Sequence, residues 1–163
     1  MTTPVRSAAE CFEEGCRLAD VGDLEGALSV FREASRSDPT SPELQFHLAE
    51  VLYRMQNILG AFERYRIAVE LDHDYVEAWT QLGCLAVELH DSVTAVSAFQ
   101  SALDVHSDYP DAHYHLAEVL AQEGRMEDAV THWRRYLEFD QRGPWAAFAR
   151  ERLVDAEQSD PTP

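Results

Sequence analysis

The sequence predicts an all-α fold of four consecutive helix pairs, and two observations carry the prediction. One alanine recurs at a constant spacing along the chain, and an aromatic residue follows each copy four positions later. Such a period indicates a repeat architecture, in which each repeat buries its apolar side against its neighbours. The alanines are Ala27, Ala61, Ala95 and Ala129, and the aromatic residues are Phe31, Tyr65, Phe99 and Trp133.

A second set of small residues precedes the recurring alanines by twelve positions and indicates a second helix in each repeat. Small residues at a helix crossing let two backbones approach closely, and the aromatic ring fills the space beside them. The second set is Gly15, Ala49, Gly83 and Ala117, and a third set, Ala34, Ala68 and Ala102, is interrupted by Tyr136.

Glycine and proline predict where the helices end and begin. Gly22 and Gly124 stand between the two helices of the first and last pairs, where a left-handed C-cap ends a helix. Pro110 suits the first turn of the helix that follows it. The four repeats are predicted over residues 8–41, 42–75, 76–109 and 110–143.

The segment GPWAAFARERLVDAEQ follows the fourth repeat, with apolar residues at helical spacing opposite charged ones. A stack of helix pairs leaves its last apolar face bare, and a helix with a polar outer side can cover it. We therefore predict a capping helix over residues 144–158, with Tyr136 in contact with it. Residues 8–158 are expected to form one domain, and residues 1–7 and 159–163 are expected to be disordered.

This 34-residue pattern resembles the tetratricopeptide repeat (TPR) family. The stretch EAWTQLGCLA matches the family pattern through Trp79, Leu82 and Gly83, and Pro39 stands at a repeat end. The resemblance covers most of the chain and implies a right-handed superhelical solenoid that acts as a non-catalytic adaptor for a protein or peptide partner. The departures are His73, Ser107 and Gln141 in place of the terminal proline, and Cys11 and Glu14 in the first repeat.

The chain is strongly acidic, with a formal net charge of −17 at pH 7 and thirteen basic residues that are all arginine. Nucleic acids and anionic membranes attract cationic surfaces, so we expect direct binding to neither. No apolar stretch is long enough to span a bilayer, and the first residues lack the apolar core of a secretion signal. These features predict a cytoplasmic protein, in which Cys11, Cys16 and Cys84 are free thiols.

The segment YPDAHYHLAEVLAQEGRMEDAV contains two histidines beside several acids and is the strongest candidate for chemistry. His113 holds the repeat position of Trp79, which predicts a packing role, and His115 holds the position of His47. Two residues apart, they lie on different helix faces, unlike the i, i+4 pair that binds zinc. No phosphate-binding loop or nucleophile motif is present. We therefore predict no catalytic site, no metal site and no cofactor.

The TPR resemblance implies a concave groove lined by the first helix of each repeat. Here the matching positions are aromatic and acidic, a composition that favours a basic or neutral peptide. TPR domains that clamp the carboxylate terminus of heat-shock chaperones use basic residues and asparagine at these positions, so that role is disfavoured. The predicted partner-binding residues are Glu43, Phe46, Glu50, Tyr53, Glu77, Thr80, Cys84, Asp111, Tyr114 and Glu118.

The alternative is a structural or oligomerising subunit of a larger complex, such as a regulatory one, that uses its edges or capping helix. A narrower resemblance bears on it. The segment HWRRYLEFDQRGPWAAFARERL is similar to the end of TPR regions that follow a MerR-like DNA-binding segment in some bacterial proteins. That resemblance implies an interaction module beside a regulatory complex.

Overall fold

The computed structural model describes residues 6–159, and within that range it contains nine α-helices and no β-strand. The helices therefore confirm the predicted all-α class and recur as pairs. They are α1 (Ala8–Asp20), α2 (Leu24–Ser37), α3 (Pro42–Arg54), α4 (Ile58–Leu71), α5 (Val76–Glu88), α6 (Ser92–Val105), α7 (Pro110–Gln122), α8 (Met126–Phe139) and α9 (Ala146–Ser159).

The chain divides into two compact units, Met1–Ala78 and Trp79–Pro163, which we call unit 1 and unit 2. In unit 1, α1 packs on α2, α2 on α3, and α3 on α4. In unit 2, α6 packs on α7, α7 on α8, and α8 on α9. The single domain predicted over residues 8–158 stays a prediction, as do its repeat boundaries. The predicted disordered ends fall largely on residues 1–5 and 160–163, outside the described residues.

Each recurring glycine of the first helices faces the recurring aromatic ring of its own repeat. A Cβ placed on Gly15 would lie 2.4 Å from Cε1 of Phe31, and one on Gly83 would lie 2.6 Å from Cε1 of Phe99. Both distances are far below van der Waals contact, so the two helices approach to the point where only a hydrogen fits. The recurring alanines Ala27, Ala61, Ala95 and Ala129 are fully buried.

The turn between the two helices of every pair uses one left-handed residue. Gly22 (φ +84°), Gln56 (φ +63°), His90 (φ +59°) and Gly124 (φ +78°) occupy the same repeat position. At the first of them the Gly22 N–H donates to the Ala19 carbonyl at 3.1 Å, and the next N–H donates to the Leu18 carbonyl at 2.9 Å. This hydrogen-bond pair is the Schellman motif. It confirms the predicted glycine caps, and it shows that two repeats build the same turn without glycine.

The residue after each left-handed position begins the second helix of the pair. Asp23, Asn57 and Asp91 each accept a hydrogen bond from a backbone N–H three positions later, at 3.0–3.1 Å. Such N-caps satisfy an otherwise unpaired donor of the first helical turn. Arg125 holds this position in the last pair and makes no side-chain cap. Three of the four turns therefore combine a left-handed residue with an Asx cap.

Helix α9 begins at Ala146, two positions after the predicted start of the capping helix, because the preceding chain forms a turn anchored on Asp140. Burial raises the pKa of Tyr136 and the Trp145 backbone opposes that rise, so Tyr136 lies beside the beginning of this segment. Glu151 stands one repeat period after Ala117, where earlier repeats have a small residue. A side chain of that size prevents a further helix from crossing there at the same close distance. This supports the capping role for α9.

Replacing Ala95 by leucine is expected to destabilise unit 2 by about 1–3 kcal/mol, because the added atoms overpack a fully buried position. The measurement is urea unfolding followed by helicity. Val93→Leu is the matched control on the same helix, since Val93 is 79% exposed and its replacement should change stability by less than about 0.5 kcal/mol. Equal stability of the two variants would contradict the packing described for α6.

Replacing Gln56 or His90 by glycine is expected to stabilise the protein by about 0.5–1 kcal/mol, because the left-handed backbone costs an L-residue about 1–2 kcal/mol. The greater freedom of glycine in the unfolded chain removes part of that gain. Both side chains are exposed, so little packing is lost. Gln100→Gly, inside α6, is the control and should destabilise by about 1 kcal/mol. A loss of stability in both turn variants, measured by urea unfolding, would refute the strain argument.

Candidate functional site

Unit 1 carries an acidic face on α1 and α3, which we define by Asp20, Glu43 and Glu50. Burial raises the pKa of Cys16, and these three carboxylates raise it further. Burial also raises the pKa of Tyr75 to about 12, and Glu43, Glu77, Glu50 and Asp72 add to the rise. The same two carboxylates, on Glu43 and Glu50, thus act on a thiol from α1 and on a phenol beyond α4. They make this side of α3 strongly negative.

Aromatic rings lie beside the acidic face. Phe46 stacks on Tyr75 with 5.1 Å between ring centroids and 26° between planes. Phe46 also meets the His47 ring edge-on at 5.7 Å, and His47 Nδ1 lies 3.0 Å from a Glu50 carboxylate oxygen. Tyr53 is 43% exposed at the end of the same helix. The face therefore offers a partner an accessible ring and exposed carboxylates.

Unit 2 repeats part of this arrangement on α7. Burial raises the pKa of Cys84 to about 12, and the Asp111 carboxylate adds to the rise. Burial lowers the pKa of His115, while Asp111 and Glu118 oppose that shift. The His115 ring stacks on Phe99 with centroids 5.7 Å apart. Asp111 is exposed, and it is the predicted α7 carboxylate that remains open to solvent.

Two predicted site residues of unit 2 already have partners from the C-terminal part of the chain. Glu118 accepts hydrogen bonds from Trp133 Nε1 at 3.0 Å and from Arg152 at 3.1 Å. Tyr114 is buried, and Trp145 stacks on it with centroids 5.0 Å apart and an interplanar angle of 14°. Both groups therefore stabilise the attachment of α9 to the fold. Neither the Tyr114 ring nor the Glu118 carboxylate is free for a partner.

The structure thus divides the predicted site residues by exposure and by unit. Each unit holds half of them, with Glu43, Phe46, Glu50, Tyr53 and Glu77 in unit 1 and the remainder in unit 2. The exposed members are Glu43, Tyr53, Glu77 and Asp111; the half-buried members are Phe46, Glu50, Cys84 and Glu118; the buried members are Thr80 and Tyr114.

Sequence reasoning missed Tyr75, Trp145 and Arg152. The 34-residue period aligns each of these residues with a position in another repeat. Tyr75 recurs as Tyr109, one repeat period later. Extending the same register beyond the fourth repeat aligns Trp145 with Asp111 and Arg152 with Glu118. In the four repeats the position of Trp145 holds three acids and one alanine, and the position of Arg152 holds two glutamates and two cysteines.

The strongest sequence candidate for chemistry, His113, forms a hydrogen-bonded pair with His132. The two Nδ1 atoms are 2.8 Å apart, and His113 Nε2 donates to the Ser107 carbonyl at 2.8 Å. A carbonyl can only accept, so His113 Nε2 carries a proton and His113 Nδ1 accepts from His132. His113 is 6% exposed, in keeping with its predicted packing role. No group of three or more metal-ligating side chains occurs within residues 6–159.

The pair predicts a loss of stability on mild acidification. Burial, with His113 nearby as the second cause, lowers the pKa of His132 to about 4. The unfolded chain takes up this proton near pH 6.5, so it binds more protons than the folded chain between about pH 6.5 and pH 4. Stability is therefore fully present above that window and falls as the pH falls through it. For this half-buried ring we expect a loss of about 1 kcal/mol between about pH 7 and pH 5.

The measurement is urea unfolding at both pH values for the wild type, His132→Gln and Thr131→Ala. His132→Gln should be less stable at neutral pH but should show a smaller loss on acidification. Thr131→Ala, at an exposed neighbouring position, should keep the wild-type difference. The same difference in all three proteins would contradict the role given to His132.

Within the described part of the chain, no helix is both long and apolar enough to cross a membrane. The sequence profile described as tetratricopeptide repeat matches residues 12–76 and 80–144. One relative is the cytochrome c-type biogenesis protein CycH of Bradyrhizobium diazoefficiens, which is 28% identical over 87% of this chain. Another is tetratricopeptide repeat protein 33 of Xenopus laevis, which is 32% identical over 57% of this chain. The matches cover 40% and 36% of those proteins, so this chain spans less than half of either.

Solved structures show the same fold at low sequence identity. A MamA protein is 22% identical, with a TM-score of 0.84 over 93% of this chain and 81% of that one. YrrB is 20% identical, with a TM-score of 0.81 over 94% and 77% of the two chains. The first TPR of Spaghetti (RPAP3) is 19% identical, with a TM-score of 0.69 over 75% and 97%. The second resemblance, to repeat regions that follow a MerR-like segment, stays a prediction.

Proposed function

Because the chain belongs to the tetratricopeptide repeat family, whose fold serves protein–protein interaction and scaffolding, we propose that it is a non-catalytic adaptor for a basic or neutral peptide. The peptide binds along the acidic face of unit 1. The single observation that carries the proposal is that Glu43, Glu50 and the 43% exposed Tyr53 lie on one side of α3, close to Cys16 and Tyr75. A negative face beside an exposed tyrosine suits cationic side chains with apolar stems.

The structural relatives support the interaction class. YrrB is described as a TPR protein with an unusual peptide-binding site, and the Spaghetti repeat was solved with the HSP90 peptide SRMEEVD. The HSP90 peptide is acidic towards its end. The acidic face of unit 1 would repel such a sequence, so charge separates our proposed peptide from that one.

The remaining features agree with an adaptor. The three cysteines are free, and burial raises the pKa of Cys16 and Cys84, which makes both poor nucleophiles. Free thiols suit the reducing cytoplasm, where we propose that the protein acts. Its negative charge argues against direct contact with nucleic acid or an anionic membrane.

One observation favours the alternative role of a structural or oligomerising subunit. Phe148 and Val154 on α9 are about half exposed, and α9 is the helix that would meet a neighbouring molecule. Sedimentation velocity distinguishes the two roles. Concentration-dependent association that Phe148→Ser abolishes would favour the oligomerising subunit.

Peptide binding is tested by fluorescence anisotropy with a short fluorescein-labelled peptide of arginine interrupted by leucine. Tyr53→Ala should weaken binding about tenfold, equivalent to about 1–2 kcal/mol, because the ring supplies contact area with little loss of entropy. Glu43→Gln with Glu50→Gln should weaken it less, since exposed charge pairs contribute at most about 1 kcal/mol each. Added salt should reduce wild-type affinity and leave the double variant less affected.

The matched control is Glu63→Gln with Glu70→Gln, which makes the same charge change at acids already paired with Arg66 on α4. All variants must first show wild-type helicity. Equal losses in both double variants would mean that net charge and not the acidic face attracts the peptide. Loss of binding in the control alone would place the peptide at the α4 acids and would also contradict the proposal. A neutral peptide with glutamine for arginine should bind more weakly than the arginine peptide.

A further inference from the structure

A second surface of unit 1 has the opposite charge. Arg32 and Arg36, one turn apart on α2, line a cavity of about 410 Å³. Both side chains are exposed. Leu28 and Met55 supply apolar walls, and Ser29 and Glu25 complete the lining. The chain has a net charge of −17 and thirty acidic residues, so a cavity with two neighbouring arginines departs from the acidic character of the rest of the chain.

The guanidinium groups of these two arginines have no hydrogen bond or ion pair within the part of the chain that the structure describes. Most arginines do have one there. Pairs with acids are made by Arg6, Arg17, Arg125 and Arg135. Others donate to polar groups elsewhere, as Arg54 does to the Ala19 carbonyl at 2.8 Å.

The next repeat shows how the protein neutralises an arginine at this position. Arg66 stands one repeat period after Arg32. Two of its nitrogens donate to Glu63, at 2.6 and 3.0 Å, and a third donates to Glu70. One acid lies three positions before the arginine and the other four positions after it. Arg66 is therefore held by carboxylates of its own helix.

The first repeat lacks both of those acids. Ser29 stands where the second repeat has Glu63, and Arg36 stands where it has Glu70. The third and fourth repeats also have an acid at the latter position, Asp104 and Glu138. The first repeat therefore loses two carboxylates and gains a second positive charge at the same place. Arg36 in the last turn of α2 interacts favourably with the helix dipole, but Arg32 one turn earlier gains no such contact, and like charges at this spacing destabilise a helix slightly.

We propose that Arg32 and Arg36 bind an acidic segment of a protein partner. Its carboxylates pair with the two guanidinium groups, as Glu63 and Glu70 pair with Arg66 in the next repeat. An apolar side chain of the same segment lies in the cavity against Leu28 and Met55. Guanidinium groups favour carboxylates because their planar donors match the two oxygens. The surface is formed by α2 and the end of α3 and includes none of the three carboxylates that define the acidic face. It does not depend on the peptide proposed for that face.

The overall negative charge of the chain does not prevent this contact. At physiological ionic strength the electrostatic field decays over about 8 Å, so a partner at the cavity responds mainly to the charges that line it, where two arginines outnumber Glu25. Carboxylates are favoured over phosphates because the second repeat supplies glutamates to the matching arginine. A polyanion such as nucleic acid would extend past the cavity onto the surrounding acidic surface.

The test uses fluorescence anisotropy of the full chain with a short fluorescein-labelled peptide of glutamate interrupted by leucine. Arg32→Gln with Arg36→Gln should weaken binding about tenfold or more. Ser29→Glu with Arg36→Glu, which copies the second repeat, should abolish binding, because Arg32 then pairs within α2. Arg142→Gln with Arg150→Gln is the control for net charge and should retain wild-type affinity. Unchanged helicity is required of each variant.

Two further peptides identify the occupant. A peptide with glutamine for glutamate should not bind, and equal binding would overturn the proposal. A peptide with phosphoserine for glutamate should bind no more tightly than the original. Preference for phosphoserine would overturn the assignment to carboxylates. Sedimentation velocity of the wild type and of Arg32→Gln with Arg36→Gln completes the test. Self-association lost only in the variant would show that a second copy of this chain is the occupant and would refute the proposal.

Discussion

The close approach of two helices at a glycine or alanine, where no larger side chain fits, determines the rest of this structure. Where Gly15 faces Phe31, the ring takes the space that a Cβ would need. The crossing fixes the distance between the paired helices, and the 34-residue period repeats it. Everything displayed on the surface, including carboxylates and arginines, is positioned by that buried contact. Function in this chain therefore resides at the variable positions of a constant frame.

The two proposed surfaces differ in the sign of their exposed charges and in the reason why those charges are not neutralised within the chain. On the acidic face, Glu43 and Glu50 are partly exposed and lie near neutral, half-buried neighbours. On α2, the positive charges remain because two neutralising acids are missing from one repeat. In unit 2 the α7 acid at the repeat position of Glu50, Glu118, is already bound by Arg152. The carboxylate at this repeat position is accessible to a partner in unit 1, whereas in unit 2 it is bound by an arginine of the same chain. The two units therefore differ in what they can bind at this position.

The period carried nearly all the information from which the fold could be predicted. It located the helix pairs, the buried alanines and the glycine turns, because these depend on local spacing and side-chain volume. Residue type alone could not show that Gln56 and His90 adopt the left-handed turn, since the surrounding hydrogen bonds impose that backbone at the repeat position that Gly22 and Gly124 share. The candidate site was less predictable. Whether Tyr114 is covered depends on where Trp145 lies in space, and a register that stopped at the fourth repeat could not include it.

The use of arginine for every basic residue has a chemical consequence for this molecule. A guanidinium group stays protonated throughout the range in which proteins fold, so the positive side of each arginine ion pair is constant with pH. Without a lysine, the chain also has no side-chain amine for acetylation, ubiquitin attachment or amine-directed cross-linking. Any covalent control of its contacts through side chains must therefore act on other groups, such as hydroxyls, carboxylates, thiols or the guanidinium groups themselves.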